Sequence, residues 1–243
     1  MHLKKIGRPI MIVILIGLIG LGIGLSFNRY FLIQTTYDFV NQSDVLWMGF
    51  NSQKVVAFTF DDGPDPSYTP QILATLKKYR VPATFFIEGA NVLKYPGLVQ
   101  AELKDGHTIG NHTFDHPHLA KESVEIIREE LERTDRAIRE VTGQTPRIFR
   151  PPYEELTEAI ITASRGLHKQ LIMSTITLEH HSVKTPQTKA ERVVRLVFPG
   201  AIILMHDGRL NRASTVQALP YLIRGLKSRG YRIIPLNKLV GTN

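Results

Sequence analysis

The chain is 243 residues long with 43% hydrophobic and 21% charged residues, a globular composition that excludes extensive disorder. It contains no cysteine, which rules out a disulfide framework, a thiolate metal site and a cysteine nucleophile. Lys and Arg number 30 against 22 Asp and Glu, a net charge of +8; with no cluster of interleaved aromatic and basic residues this excludes nucleic acid as the expected partner, whereas an anionic cell-wall setting suits it.

In chain order, the first element is an uncharged run from Pro9 to Phe27, rich in Ile, Leu, Val and Gly. As a helix it spans about 28 Å, close to the hydrocarbon thickness of a bilayer. Lys4, Lys5 and Arg8 precede it and only Arg29 follows closely, so the positive-inside rule places residues 1–8 in the cytoplasm and the rest outside. The expectation is a single-pass membrane anchor over 9–27 with an extracytoplasmic catalytic domain. A cleaved signal peptide is the competing reading, although the run is long for one and Gly24-Leu25-Ser26 is a poor cleavage site. Residues 28–53 show no periodicity and read as a connector. Residues 54–243 then make one domain, expected to work as a monomer.

Within that domain, short Val/Ile/Phe-rich runs alternate with helical patterns. The expected order is strand Val55–Phe60, helix Thr69–Tyr79, strand Thr84–Ile87, helix Gly97–Lys104 and strand His107–Gly110. Helix Ser123–Val141, strand Arg147–Phe149, helix Leu156–Ser164 and strand Gln170–Ile176 follow. Helix Thr188–Val197, strand Ile202–Met205, helix Ser214–Ser228 and strand Tyr231–Ile234 complete the series. Such alternation implies βαβ units and a parallel sheet, an α/β fold. Seven strands suggest a barrel or a distorted relative of one. On the long helix, Arg128, Arg133, Arg136 and Arg139 interleave with Glu129, Glu130, Glu132 and Glu140, the mark of a solvated face.

The polar residues fall at strand exits. Asp61-Asp62-Gly63 follows the first strand, His112 and His116 the third, Arg150-Pro151-Pro152-Tyr153 the fourth, and His206-Asp207-Gly208 the sixth. In a parallel barrel these ends share one face, where active sites are built. Asp62, His112 and His116 make a three-ligand set for one divalent metal with a position left open. Zn²⁺ is the leading candidate; Fe²⁺, Mn²⁺, Co²⁺ and Ni²⁺ take similar ligands. Asp61, with Arg150 near it to keep it ionised beside Asp62, is a candidate general base. The alternative for this segment is an ordinary Asp-Gly-Pro turn. His206 has the right pKa range for a general acid, although a His at a strand end is also a common structural feature.

Thr59-Phe60-Asp61-Asp62-Gly63-Pro64, His112-Thr113-Phe114-Asp115-His116, Arg150-Pro151-Pro152-Tyr153 and Leu204-Met205-His206 together resemble the ordered motifs of the NodB-homology polysaccharide deacetylases, carbohydrate esterase family four. The resemblance runs from about Val55 to Leu239. It implies a distorted (β/α)7 barrel that hydrolyses acetyl groups on polysaccharides, here most simply N-acetylglucosamine units of peptidoglycan. By that resemblance Asp61 is the base, Asp62, His112 and His116 hold the metal, and His206 is the acid. Arg150 holds Asp61, the backbone N–H of Tyr153 stabilises the oxyanion, and Leu204 lines the acetyl pocket.

Two departures stand out. Glu154 occupies a position where the family often has Gly. Met173 and His180 stand where tryptophans are expected, and Glu179 where an Asp supports the acid. Glu179 is expected either to orient His206 or to sit in a solvated loop. The altered motif keeps two other readings open: a barrel that binds glycan without hydrolysing it, and a hydrolase of another acetyl ester or amide.

Overall fold

The computed structural model describes residues 44–49 and 53–241. The anchor at 9–27 and the connector residues 28–43 and 50–52 lie outside them. No helix among the described residues is long and apolar enough to cross a membrane.

The elements alternate as expected. Strands β1 (Val45–Leu46), β2 (Val55–Gly63), β3 (Thr84–Ile87), β4 (Thr108–Asn111), β5 (Ile148–Phe149), β6 (Gln170–Ile172), β7 (Ile176–Thr177), β8 (Ile202–His206) and β9 (Arg232–Ile233) form the sheet. Helices α1 (Thr69–Tyr79), α2 (Gly89–Lys94), α3 (Pro96–Lys104), α4 (Val124–Thr142), α5 (Glu158–Gly166), α6 (Pro186–Leu196), α7 (Ala213–Ser228) and α8 (Leu236–Val240) connect or close it. All paired strands are parallel, in the order β1-β6-β5-β4-β3-β2-β8-β7, with β9 beside β2. Strands β6 and β7 lie near opposite ends of that path, yet only Met173–Thr175 separate them. The sheet must therefore curl into a half-barrel whose opening this linker spans.

Strand β2 is buried along its whole length, and its alternation assigns each residue a task. Val56, Phe58 and Phe60 pack in one core cluster with Ile72 and Leu76 of α1 and Leu219 and Leu222 of α7. Val55 and Ala57 belong to a second cluster with Phe86, Ile148, Ile202 and the α8 residues Leu236 and Leu239. Thr59 and Asp61 continue that second row. The inside of the curled sheet is thus apolar at one end and polar at the strand exits.

Three differences from the sequence reading have physical causes. Val45–Leu46, inside the stretch read as connector, pair with β6 and are buried, so the sheet begins before Lys54; two apolar residues are too short a run to show periodicity. The strand expected over Gln170–Ile176 is interrupted at Met173–Thr175. There side chains share the backbone groups with neighbouring strands: Met173 N–H donates to Leu46 O and Thr175 N–H to Ile202 O, while Arg150 donates to the carbonyls of Ile172 and Met173, and Glu154 accepts from the N–H of Ser174. Finally, Glu130 of α4 is buried, not solvated, and its carboxylate accepts the N–H groups of Phe114 and Asp115.

Candidate active site

The exit of β2 carries two consecutive carboxylates toward one place, which strict alternation forbids. A bulge between Asp61 and Gly63 shifts the register against β3, and Asp62 takes φ 75°, a left-handed conformation that Asp tolerates better than most residues. The next chain passes very close: a Cβ on Gly208 would lie 2.0 Å from the carbonyl oxygen of Asp62, so only glycine fits after His206-Asp207.

Asp61 is buried, and its Oδ1 accepts from Arg150 Nη1 at 2.8 Å. Arg150 is fully buried, a state a guanidinium reaches only with its donors satisfied. It also donates to Thr59 Oγ1 at 2.8 Å, Ile172 O at 3.1 Å and Met173 O at 3.2 Å, and lies 4.4 Å from the Phe86 ring centroid.

Asp62 Oδ1 lies 3.4 Å from His112 Nε2 and 3.2 Å from His116 Nε2. One ligand atom from each of the three buried residues falls within 4.8 Å of the others. His112 Nδ1 sits 2.7 Å from the Arg150 carbonyl, which only accepts, so Nδ1 carries the proton and Nε2 offers its lone pair to the cluster. Burial pushes Asp62 up, but the two imidazoles beside it outweigh that and hold the carboxyl well below the usual carboxylate range. Two imidazoles and one ionised carboxylate, convergent and buried, fit a divalent metal.

His206 is the Cα partner of Asp61 across β2 and β8. Glu179 is not a solvated loop residue: its Oε2 lies 3.2 Å from His206 Nδ1, while Oε1 accepts from the His206 N–H at 3.3 Å and from the Thr215 hydroxyl. Burial pulls the His206 pKa down, but the hydrogen bond and charge of Glu179 outweigh it and raise the imidazole above its ordinary value. The same pair lowers Glu179 against its own burial.

Tyr153 lies in a 3₁₀ turn, Pro152–Glu154, with its ring 4.7 Å from that of His116 and stacked on His118 at 3.9 Å. Leu204 is buried two residues before His206, on the same face of β8. Of the eight residues singled out from the sequence, Leu204 lies within β8 and the other seven lie at the strand exits or in the segments that follow them. Met173 is buried in the core, and His180 lies in the segment after β7, stacked on His181.

Sequence reasoning missed Arg212, whose Nη2 donates to Asp62 Oδ2 at 2.9 Å, and the pairing of Arg209 with Glu88 at 3.1 Å. These lie in or beside loops without periodicity, where no spacing signals a partner. Asp207 was missed as a buried carboxyl: it accepts from the Thr69 hydroxyl, and burial pushes it up to about 7.

Residues 49–172 match the family model described as polysaccharide deacetylase. A peptidoglycan-N-acetylglucosamine deacetylase of Bacillus cereus is 35% identical over 198 residues, covering 81% of this chain and 92% of that protein. One of Listeria monocytogenes is 35% identical over 190 residues, covering 78% of this chain but only 40% of its own length. A peptidoglycan N-acetylglucosamine deacetylase structure in complex with 4-naphthalen-1-yl-N-oxidanyl-benzamide is similar with a TM-score of 0.79 and 33% identity, covering 82% of this chain and 94% of that one.

Proposed function

The chain belongs to the polysaccharide deacetylase family, and from that premise we propose that it hydrolyses N-acetyl groups on a cell-wall polysaccharide, N-acetylglucosamine units of peptidoglycan first among them. One observation carries the reading: Asp61 with Arg150, the Asp62/His112/His116 set, and His206 with Glu179 converge at the exits of neighbouring strands. A passive glycan-binding barrel has no use for a buried base, an open ligand set and an imidazole held by a carboxylate. The curled sheet is read as a distorted (β/α)7 barrel.

Asp62, His112 and His116 would hold the divalent ion, Zn²⁺ by preference; such an ion supplies Lewis acidity and lowers the pKa of water. Asp61 takes a proton from the attacking water as its oxygen bonds to the acetyl carbon. Arg150 keeps Asp61 ionised and oriented. The Tyr153 N–H supports the charge that develops on the carbonyl oxygen, and Leu204 packs against the methyl group. His206, its Nδ1 engaged by Glu179, gives a proton from Nε2 to the departing nitrogen as the carbon–nitrogen bond breaks. The products are acetate and a free amine.

The apolar run at 9–27 is proposed to anchor the protein in the cytoplasmic membrane with this domain outside, which places the cleft against the wall polymer. Acetate release from purified peptidoglycan and from defined chitooligomers tests the activity. Release is expected from at least one of them; a fully metal-loaded protein that binds glycan yet frees no acetate from either would overturn the reading.

A further inference from the structure

Arg150 and Glu154 bound a five-residue segment, and both reach the same three-residue linker between β6 and β7. From one end, the Arg150 guanidinium donates to Ile172 O and Met173 O. From the other, the Glu154 carboxylate accepts the Ser174 N–H at 2.5 Å and lies 3.0 Å from the Ser174 hydroxyl. Between them sits Tyr153, at φ 57° and ψ 13°, followed by Glu154 at φ 51°. Two consecutive non-glycine residues in the left-handed region are unfavourable by themselves, so surrounding contacts must hold them there. The far side of the turn is held by Glu155, whose Oε2 accepts the N–H groups of Leu119 and Ala120 at 2.7 and 2.8 Å.

We propose that Glu154 is a positioning residue: through Ser174 it locks the left-handed turn that presents the Tyr153 backbone N–H, and couples that turn to the linker that also orients Arg150 and Asp61. This deepens the deacetylase reading and rests on it for the role of Tyr153. A glycine at position 154 would adopt φ 51° without strain but has no side chain to reach Ser174. This chain accepts the backbone cost and gains a charge-assisted tie across the opening of the half-barrel. The base and the oxyanion donor are therefore set by contacts to adjacent residues, Met173 and Ser174, and move together or not at all.

The test combines amide exchange with kinetics on full-length protein carrying Glu154→Ala, Glu154→Gln, Ser174→Ala, or the Ala pair. The Glu154 and Glu155 amides bond to Pro151 O and Pro152 O, and the Ser174 amide to Glu154 itself. In Glu154→Ala all three should exchange faster. Its kcat should fall about tenfold to a hundredfold, the scale of a misplaced reacting geometry, with KM nearly unchanged. Glu154→Gln, which retains an acceptor for the Ser174 N–H, should restore most of both. Ser174→Ala removes only the hydroxyl contact to Glu154 Oε2 and keeps the N–H that Oε1 accepts, so its own loss should be smaller than that of Glu154→Ala and should vanish in the Glu154→Ala background, where the partner is already gone. Unchanged exchange in Glu154→Ala, a loss confined to KM, or fully multiplicative losses would each overturn the proposal. A wild-type protein that frees no acetate would instead sink the deacetylase reading, and exchange alone then decides whether the lock exists.

Discussion

Asp61 and Asp62 are neighbours in sequence with one oxygen each held by a different arginine, Arg150 and Arg212, and the other directed elsewhere. That division separates their tasks and can be read by substitution. Asp61→Asn should keep the metal, measured by elemental analysis, while turnover falls roughly 10²–10⁴-fold as for a lost general base. His112→Ala should lose both metal and activity. Asp61→Asn at the wild-type rate would show that another group takes the proton. The pH profile reports on His206. Its pKa is raised because Glu179 overcomes the effect of burial, so the protonated acid persists to higher pH. Glu179→Gln removes that charge, the imidazole deprotonates sooner, and the alkaline limb should move to lower pH. An unmoved limb would mean that His206 does not set it. At this scale the sequence was readable where chemistry sits at strand exits, as with Asp61, Asp62, His112, His116 and His206. It was silent on Arg212, because a loop arginine has no pattern until the fold brings it across 150 residues to Asp62.

Among the elements, the long amphipathic ones were legible and the short ones were not. Helices α1, α4 and α7 announce themselves by periodicity, and Ser123 and Gly143 cap α4 in the ordinary way, the serine side chain accepting from Ile126 N and the glycine at φ 73°. Strand β1, with two residues, and the break between β6 and β7 do not, because both are determined by distant partners. Glu130 shows the same limit: in sequence it is one of a run of charges on α4, and in the fold it organises the loop that carries His112 and His116. Strand β1 matters for stability. Leu46 is buried in one core cluster with Val55, Ala57 and Ile172. Leu46→Ala should cost about 2–4 kcal/mol, lowering the melting temperature by roughly 4–16 °C for a domain of this size. An unchanged thermal melt would make β1 an ornament to the sheet, with the domain then starting near Lys54.

For the molecule as a whole, the alternation of strand and helix sufficed to expect a parallel sheet with one functional end, while the curl and the position of its opening needed the strand order. The facing of the rows on β2 then explains why a polar site forms on an apolar scaffold: Val55 and Ala57 close one end, and Thr59 and Asp61 continue the same row to the other. The cleft floor has an electrical consequence. Arg150 balances Asp61, Arg212 balances Asp62, a protonated His206 balances Glu179, and burial pushes Asp207 toward its neutral form, so the floor carries little net charge before any cation enters. A bound divalent ion therefore brings an uncompensated double positive charge into a region of low dielectric. Of the two products of the proposed reaction, the amine as a cation would be repelled by this field and acetate retained. Acetate should inhibit competitively, bind the metal-loaded protein and fail to bind metal-stripped protein, as calorimetry can show; equal binding to both would refute the charge balance. Acetate is thus the product whose escape is expected to limit the proposed turnover, which a rate that falls with added acetate would report.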